Sequence, residues 1–371
     1  MLGSGAVFYR KSRVMPVPMT AAPQLVYLAF GPETYQREAV FSIVSALSQT
    51  ASAHPEAFGI QVFTDQPGYY AKLPVTVRAI DASWNGPHRY HFRIKHAALR
   101  QVLKECEKAV LIDTDTFFRV PPEALFDRVR AGTLLCNAIG SSLGQSNGMP
   151  AALLAYLNRH GMHDPALRQT NSGVIGLVAS DASILDRSIS LMDELRPVIP
   201  ELYTLEELSL ALVAHDQLQL AECTDAIHHY WSRKAQFRAK IDAWYLKHGD
   251  SPLSLGAVED SRLVNDRLPR PPQPLRAWQK ALTVLVASER RQFIRELLYG
   301  CHVYPNEFDR ACAPVWWDKA LTNAQDRLQR PLSAEELSSW LADPILKRLA
   351  GRHYSALRGR LLDRLEAQSS Q

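Results

Sequence analysis

A short apolar run that ends in two aspartates, residues 108–118, constrains the fold of this chain more than any other stretch. Residues 110–112 (Val-Leu-Ile) are typical of a buried strand in a parallel sheet. Asp113 and Asp115 follow at once, and alternate residues of an extended chain point to the same side. Because open α/β sheets bind ligands at the carboxyl ends of their strands, we expect both carboxylates to face a ligand crevice.

Two carboxylates this close together repel each other unless a divalent cation or a shared proton lies between them. The Asp113-x-Asp115 pair therefore suggests a metal site. One strand-end residue followed by one helix N-cap residue explains the same pair equally well. The remainder of the chain has to decide between these interpretations.

Composition excludes several classes of protein. The 371 residues suffice for one large or two modest domains, and the net charge of +4 argues against a nucleic-acid-binding protein while allowing an anionic substrate. Five scattered cysteines without C-x-x-C spacing predict neither a disulfide framework nor a zinc site. The sequence shows no signal-peptide pattern and no apolar run near the roughly 20 residues of a membrane span. We therefore expect a cytoplasmic protein.

Strands alternate with helices through the first two thirds of the chain. Strand patterns at 25–30 and 59–65 are separated by a helical pattern, and a further helix at 88–107 leads into the strand before Asp113. This order predicts an α/β fold with a mostly parallel sheet flanked by helices. The pattern becomes helical after residue 245, so we predict two domains, 1–245 and 246–371, the second a C-terminal helical extension.

The last helical segment, residues 345–368, places leucines on one face and many lysines and arginines nearby. Such a helix either packs on its own domain with a solvated basic face or docks on an anionic membrane surface. Peripheral membrane contact through this helix therefore remains an alternative to a purely structural role.

Three separated segments together resemble one known family. They are Asp113-x-Asp115, residues 171–174 (Asn-Ser-Gly-Val) and residues 228–234 (His-His-Tyr-Trp-Ser-Arg-Lys). In order and spacing they resemble the GT-A class of nucleotide-sugar glycosyltransferases, with a layout similar to glycogenin and the bacterial lipopolysaccharide galactosyltransferases. The resemblance covers roughly residues 24–245 and implies a Rossmann-like GT-A sheet.

The resemblance also implies a metal centre. In the family a divalent ion, Mn²⁺ or Mg²⁺, bridges the diphosphate of the sugar donor to the aspartates and to a distant histidine. Asp115 would be a direct ligand, and Asp113 would bind the metal or the ribose. His229 opens a His-Tyr-Trp triplet like that of the family and is the preferred histidine. His228 is the alternative, because its spacing to Lys234 matches glycogenin-like enzymes.

The remaining implied site residues fall into three groups around a UDP-sugar. Those beside its diphosphate and sugar are Lys95 (with Arg93 as the alternative), Thr114, Asn171, Ser172, Gly173 and Lys234. Those beside its nucleoside are Phe30, which would stack on the base, Gly31 and Asp65, which equally well caps a helix. Glu206 and Glu207 fall where related enzymes place a residue near the acceptor, so either is a candidate general base. As first-turn glutamates they would equally stabilise the helix dipole.

The sequence thus predicts a metal-dependent glycosyltransferase that moves a hexose from a UDP-sugar to an unidentified hydroxyl acceptor. A haloacid-dehalogenase-type phosphatase is one alternative, with Asp113 as nucleophile and Asp115 as general acid. It would need a second acidic cluster, and Gly249-Asp250 lacks the second acid at the expected spacing. The other alternative is an inactive scaffold that binds sugar nucleotides.

Overall fold

The structure, a computed structural model, describes residues 22–49, 57–145 and 149–369. The expectation about a signal peptide falls on the N-terminal segment and lies outside these residues. Within them the strands, in chain order, are β1 (Gln24–Ala29), β2 (Gly59–Thr64), β3 (Thr76–Arg78), β4 (Lys108–Ile112), β5 (Thr116–Phe118), β6 (Thr133–Cys136), β7 (Ile139–Ser142), β8 (Arg168–Thr170), β9 (Val174–Val178), β10 (Gln219–Glu222) and β11 (Ile227–His229).

The α-helices of the described residues follow the same numbering. They are α1 (Glu33–Gln49), α2 (Arg93–Val102), α3 (Glu123–Phe126), α4 (Ala151–Arg159), α5 (Ser183–Leu195), α6 (Leu205–Ala214), α7 (Lys234–His248), α8 (Leu255–Ser261), α9 (Gln273–Leu282), α10 (Arg291–Gly300), α11 (Glu307–Cys312), α12 (Val315–Leu328), α13 (Ala334–Leu341), α14 (Pro344–Ala350) and α15 (Tyr354–Ser369). No helix of the described residues is long and apolar enough to cross a membrane.

A seven-stranded sheet organises the first two thirds of the chain, in the order β10-β6-β9-β4-β1-β2-β3. Its neighbouring strands run parallel except at β9, which is antiparallel to both β4 and β6. The predicted α/β fold, a mostly parallel sheet flanked by helices and followed by a helical C-terminal stretch, is confirmed. The strand before Asp113 is β4, near the middle of this sheet.

Both faces of the sheet are covered, which explains why β4 is apolar throughout. Val110 and Ile112 pack with side chains of α1 and α7 on one face. Ala109 and Leu111 pack with side chains of α2, α5 and α6 on the other. A strand buried on both sides cannot alternate apolar and polar residues, so it appears in the sequence as a continuous apolar run.

Two predicted helices are shorter in the structure than their sequence patterns. The helix expected over 88–107 is α2, which begins only at Arg93, after a turn that includes Gly86 in a positive-φ conformation. The segment 345–368 is divided into α14 and α15 because Gly351, with φ near +50°, ends the first of them. Glycine adopts this left-handed conformation readily, and this makes it a common helix terminator.

The C-terminal helices build an apolar cluster of their own, to which α10, α12, α13, α14 and α15 contribute. Residue 245 lies inside α7, and α7 packs against α11 from the C-terminal part. The division of the chain into two domains at that residue stays a prediction.

Candidate functional site

Two short strands carry the aspartates and a histidine to the carboxyl end of β4. Asp113 follows β4 directly, and Asp115 immediately precedes β5. Strand β5 pairs antiparallel with β11, in a register that places His229 opposite Thr116. The backbone N–H of Tyr230 also donates to the carbonyl oxygen of Asp115, at 3.1 Å. A segment more than one hundred residues downstream is thus fixed beside the aspartates.

Asp113, Asp115 and His229 form a cluster that suits a metal ion. One ligand atom from each residue lies within 4.8 Å of the ligand atoms of the other two. No other group of three or more His, Cys, Asp or Glu residues among the described residues has this geometry. Nε2 of His229 lies 3.3 Å from Oδ1 of Asp115, and Asp115 is buried. The carboxylates and the imidazole that the sequence pattern singled out therefore meet at one point.

The His229 ring is oriented by hydrogen bonds from the loop before β9. Oδ1 of Asn171 lies 2.9 Å from Nδ1 of His229 and also accepts from the backbone N–H of Gly173 at 3.1 Å. Nδ2 of the same amide donates to Oε1 of Glu207, which fixes the orientation of the amide. Because an amide oxygen only accepts, Nδ1 of His229 carries the proton. Nε2 is then the ring nitrogen that faces Asp115.

This arrangement fits a divalent cation. A lone pair that faces a carboxylate oxygen is repulsive unless the ring takes a second proton or a cation lies between them. Carboxylate oxygens with an imidazole nitrogen suit Mn²⁺ better than Ca²⁺, and an imidazole whose other nitrogen is hydrogen-bonded is typical of metal-ligating histidines. Asp113, Asp115 and His229 are thus the residues that would hold the ion.

His228, the alternative histidine, is turned away from the aspartates. Neighbouring residues of a strand point to opposite sides, so His228 and His229 cannot face the same cluster. Nδ1 of His228 lies 2.8 Å from a guanidinium nitrogen of Arg119, and its Nε2 lies 3.3 Å from Oδ2 of Asp266. Of the two candidate histidines, the structure therefore brings only His229 to Asp113 and Asp115.

Two lysines neutralise the aspartates from opposite sides. Nζ of Lys95, on α2, lies 2.8 Å from Oδ2 of Asp113, and Nζ of Lys234, at the start of α7, lies 2.8 Å from Oδ2 of Asp115. Burial acts to lower the pKa of Lys95, but the negative charges of Asp113 and Glu206 outweigh it and hold that pKa above its usual value. Burial likewise acts to lower the pKa of Lys234, but the negative charge of Asp115 outweighs it, so the pKa of Lys234 is raised.

The pKa of Asp115 is the result of opposing effects. Burial acts to raise this pKa. The hydrogen bond and charge of His229 and the charge of Lys234 act to lower it, and together they outweigh burial, so the pKa of Asp115 lies well below the usual range of an aspartate. Asp115 is therefore an anion at neutral pH despite its burial. An anionic carboxylate is the form that ligates a metal.

Ser172 connects the lysine of α2 to the two glutamates of α6. Its Oγ accepts from Nζ of Lys95 at 3.2 Å and donates to Oε1 of Glu206 at 3.1 Å. Its backbone N–H donates to Oε1 of Glu207 at 2.8 Å. Glu206 also accepts from the Tyr90 hydroxyl at 2.6 Å and is buried, whereas burial raises the pKa of the half-buried Glu207. Both glutamates are thus tied to the loop that orients His229.

A cavity of about 170 Å³, here called the Asp-His cavity, opens beside the aspartates. Six of the residues that line it were singled out from the sequence: Phe30, Lys95, Asp113, Thr114, Asp115 and Lys234. Residues that sequence reasoning missed also line it: Leu28, Tyr35, Glu38, His91, Phe92, Tyr203 and Arg238. The missed residues give this cavity several aromatic rings and a third cation.

Some of the missed residues left a signal in the sequence. Arg238 lies four residues after Lys234 on α7, and Phe92 lies three residues before Lys95 at the start of α2, so each pair shares a helix face. Glu38 is 1% exposed and accepts from the guanidinium of Arg238 at 3.0 Å. Tyr203, two thirds exposed, left no periodic signal.

Besides the histidines, the loop at Asn171 and the two glutamates of α6, three more residues that the sequence singled out lie outside the Asp-His cavity lining. Oδ2 of Asp65 accepts from the backbone N–H of Gly31 at 3.0 Å, and its Oδ1 accepts from Gln36 at 3.1 Å. Gly31 has φ of +84°, a conformation that favours glycine at the end of β1. Arg93, the alternative to Lys95, pairs instead with Asp193 at 2.9 Å. In the structure these residues shape the turns around the cavity.

A second cavity of about 490 Å³ adjoins the same loop. Five leucines and Met149 form much of its wall, so we call it the leucine cavity. Asn171 and Glu207 line its inner part, and Trp231 lines it as well. Asn171 and Glu207, which support His229 and Ser172, are therefore exposed to a space distinct from the Asp-His cavity.

The acidic residue considered for the phosphatase alternative lies elsewhere. Asp250 is on the surface and pairs with Lys72 at 3.0 Å, with both side chains exposed. The third member of the cluster at Asp113 and Asp115 is a histidine instead of a carboxylate. The phosphatase interpretation therefore gains no support from the arrangement of the described residues.

Fold and site together define an α/β protein with an Asp-Asp-His cluster between two lysines at the end of a central strand. No protein-family model matches the chain, and no curated protein matches it. Among solved structures, the chain is similar to the apo structure of WbbM, a bifunctional glycosyltransferase, at 16% identity and a TM-score of 0.38. The match covers 56% of this chain and 40% of that one, so this chain spans about two fifths of its length.

Proposed function

We propose that the protein is a metal-dependent glycosyltransferase that moves a hexose from a UDP-sugar to a hydroxyl acceptor. The observation that carries the proposal is the cluster of Asp113, Asp115 and His229, whose aspartates pair with Lys95 and Lys234 in the lining of the Asp-His cavity. This set combines a metal-ligating centre with two cations that match the charge of a diphosphate.

Each part of the donor has a proposed partner. Asp113, Asp115 and His229 would hold Mn²⁺ or Mg²⁺, which would neutralise the diphosphate and act as Lewis acid for the leaving group. Lys95 and Lys234 exchange their contacts with the aspartates for contacts with phosphate oxygens. Phe30 stacks on the base. The Asp-His cavity is smaller than the roughly 300 Å³ and more of a site for a drug-sized ligand, so part of the nucleotide sugar extends beyond it.

The reaction exchanges one bond at the anomeric carbon of the sugar for another. The bond from that carbon to the diphosphate oxygen breaks, and its electron pair leaves with UDP. The acceptor oxygen forms the new bond to the carbon and gives up its proton to a base. We assign Glu207 as the base, because it is half-buried and borders both the loop at Ser172 and the leucine cavity.

Calorimetric titration of UDP, with and without Mn²⁺, tests the donor site. With Mn²⁺ we expect binding at least about tenfold tighter than without it, and we expect Asp115→Asn to abolish that gain. The matched control is Asp186→Asn, an exposed aspartate on α5 that pairs with Arg100 at 2.9 Å and should leave binding unchanged. Metal-independent binding that survives Asp115→Asn, or no UDP binding at all, would contradict the proposal.

Release of UDP from UDP-hexoses distinguishes an enzyme from an inactive scaffold. An active transferase releases UDP in the presence of Mn²⁺ and an acceptor, and the Asp115→Asn variant does not. Tight metal-dependent binding without any release over a panel of donors and acceptors would favour the scaffold.

A further inference from the structure

Hydrogen-bonded side chains connect the lining of the leucine cavity to the Asp-Asp-His cluster and to the lining of the Asp-His cavity. Asn171 and Glu207 line the leucine cavity, and they contact His229 and Ser172 respectively. Ser172 in turn contacts Lys95, which lines the Asp-His cavity. A molecule in the leucine cavity would therefore touch the side chains that position the candidate metal ligand.

Aliphatic side chains make up about half of the residues that line the leucine cavity, and polar residues such as Arg168, Gln169 and Thr204 line the rest. Leucines 153 and 167 contribute from α4 and from the segment before β8, and Leu208 contributes from α6. Buried hydroxyl groups that face aliphatic side chains lose hydrogen bonds to water without gaining others. The aliphatic part of the wall therefore suits an alkyl or aryl body, and the polar part suits a hydroxyl-bearing group.

The polar side chains at the inner part of the cavity include one that lacks a partner. Thr170 is 5% exposed and lines the cavity, yet its hydroxyl has no hydrogen-bond partner among the described residues. It is adjacent in sequence to Asn171, which hydrogen-bonds to Glu207. The Thr170 oxygen itself is closed off from solvent. The hydrogen-bonding groups that a ligand in the cavity could reach are therefore those of other lining residues, such as Asn171 and Glu207.

Trp231 provides a large apolar surface at the same cavity. Its side chain is 64% exposed although it lines the cavity, and it directly follows Tyr230, whose backbone donates to Asp115. An exposed tryptophan at a cavity is typical of a residue that covers a bound ligand.

From these contacts we infer that the leucine cavity binds the acceptor, and that the acceptor is an amphipathic alcohol, a hydroxyl-bearing head on an apolar chain. The hydroxyl-bearing head lies against Asn171 and Glu207, and the chain lies along the leucines and Trp231. The assignment of the bound molecule as acceptor rests on the function proposed above. The inference that an amphipathic alcohol binds in the leucine cavity does not depend on that function.

Two glucosides that share one head group test the inference. Octyl β-D-glucoside below its micellar concentration and methyl β-D-glucoside differ only in the length of the chain. By calorimetry we expect the octyl compound to bind at least about tenfold more tightly, because its chain leaves water for the aliphatic wall. Equal affinity of the two glucosides would overturn the inference.

Variants locate the binding in the cavity. We expect Leu208→Gln and Trp231→Ala each to remove most of the advantage of the octyl chain, with little effect on the methyl glucoside. Trp278→Ala is the matched control, because Trp278 is also about half exposed but does not line the cavity. Trp231 lies largely in solvent, so its removal keeps the test valid even if Leu208→Gln disturbs folding. An octyl advantage that survives Trp231→Ala would overturn the inference.

Titration of UDP with Mn²⁺ into the same samples separates the two proposals. Metal-dependent UDP binding without an octyl advantage would contradict only the acceptor inference. An octyl advantage that depends on Trp231, without UDP binding, would contradict the proposed function and leave the apolar binding site standing.

Discussion

At the scale of single residues, the orientation of His229 depends on its contacts with one loop. Asn171 accepts a hydrogen bond from Nδ1 of the ring, and Gly173 brings the backbone against it. A Cβ atom at Gly173 would collide with the imidazole, with Cγ of His229 only 2.9 Å away. The glycine is therefore required because its backbone lies against the histidine ring.

Gly173→Ala should consequently damage both packing and metal-dependent binding. We expect the free energy of unfolding to fall by about 1–3 kcal/mol, the usual range for an added methyl group in a close-packed site. Gly68→Ala is the control, because a Cβ there meets no atom within 4 Å. Urea unfolding of both variants checks this, and equal stabilities would show that the His229 ring shifts freely.

The two lysines differ in what their loss should cost. Lys95 is 8% exposed and contacts both Asp113 and Glu206, so Lys95→Met leaves buried negative charges without a counter-ion. We expect a loss of about 3 kcal/mol or more. The side chain of Lys234 is 43% exposed, and its partner Asp115 also contacts His229, so Lys234→Met should cost less than Lys95→Met. Chemical denaturation measures both, and similar losses would contradict the burial of the Lys95 pair.

The charged residues at the Asp-Asp-His cluster could be singled out from the sequence because they lie in, or at a fixed place beside, short motifs that resemble a known family. Asp113 and Asp115 follow a buried strand, and Lys95 and Lys234 lie on helices beside it. Tyr203 could not be predicted, since nothing in its local sequence shows that it reaches the Asp-His cavity. The roles assigned to these residues stay predictions until binding is measured.

At the scale of elements, the pairing of β5 with β11 selects between the two candidate histidines. The sequence shows His228 and His229 side by side, but not which face of the strand meets the aspartates. The register of Thr116 with His229 settles which of them does. Strand register depends on tertiary pairing over more than one hundred residues, so local sequence could not reveal it.

The interface between α2 and α5 contains a buried histidine. His96 is fully buried, and its Nδ1 lies 3.1 Å from Oγ of Ser188. Burial, with the nearby charges of Lys95 and Arg93, lowers the pKa of His96 to about 3. The ring is therefore neutral in the folded protein over the whole range in which an unfolded histidine titrates.

This burial predicts a specific dependence of stability on pH. Between about pH 6.5 and pH 3 the unfolded chain binds a proton at His96 that the folded chain does not, so stability falls as the pH falls. From pH 7 to pH 5 the loss should be about 2 kcal/mol from this residue. His96→Gln should reduce the loss by that amount in urea unfolding at the two pH values. An unchanged pH dependence would contradict the low pKa.

At the scale of the whole molecule, the C-terminal helices have an apolar core of their own. Leu357 and Leu361 of α15 are fully buried in it, and Arg360 forms a bidentate pair with Asp318 of α12. The apolar face of the basic segment is thus occupied within the chain. Membrane contact through its remaining exposed basic side chains stays a prediction.

Removing part of that core should therefore be costly. Leu361→Ala is expected to lower the free energy of unfolding by about 2–4 kcal/mol, from lost burial and the cavity left behind. Leu246→Ala, at a leucine that is 79% exposed, should change it by less than about 0.5 kcal/mol. Thermal or urea unfolding followed by far-UV circular dichroism checks both. A small effect of Leu361→Ala would mean that α15 is not held by the core.

The overall α/β architecture could be predicted because strand and helix periodicities alternate along the chain. The leucine cavity could not, because its wall comes from α4, α6, the segment before β8 and Trp231, which lie far apart in sequence. Each leucine taken alone appears in the sequence as an ordinary core residue. Only the folded chain shows that together they leave a space beside Asn171 and Glu207.

Pulsed electron paramagnetic resonance of bound Mn²⁺ in the presence of UDP tests the central claim most directly. The proposed centre predicts ³¹P coupling from the diphosphate together with ¹⁴N coupling from one imidazole. The ¹⁴N coupling should be lost in His229→Gln and kept in His228→Gln. Absence of the ³¹P coupling, or ¹⁴N coupling that survives His229→Gln, would contradict a metal centre that joins Asp113, Asp115 and His229 to the donor.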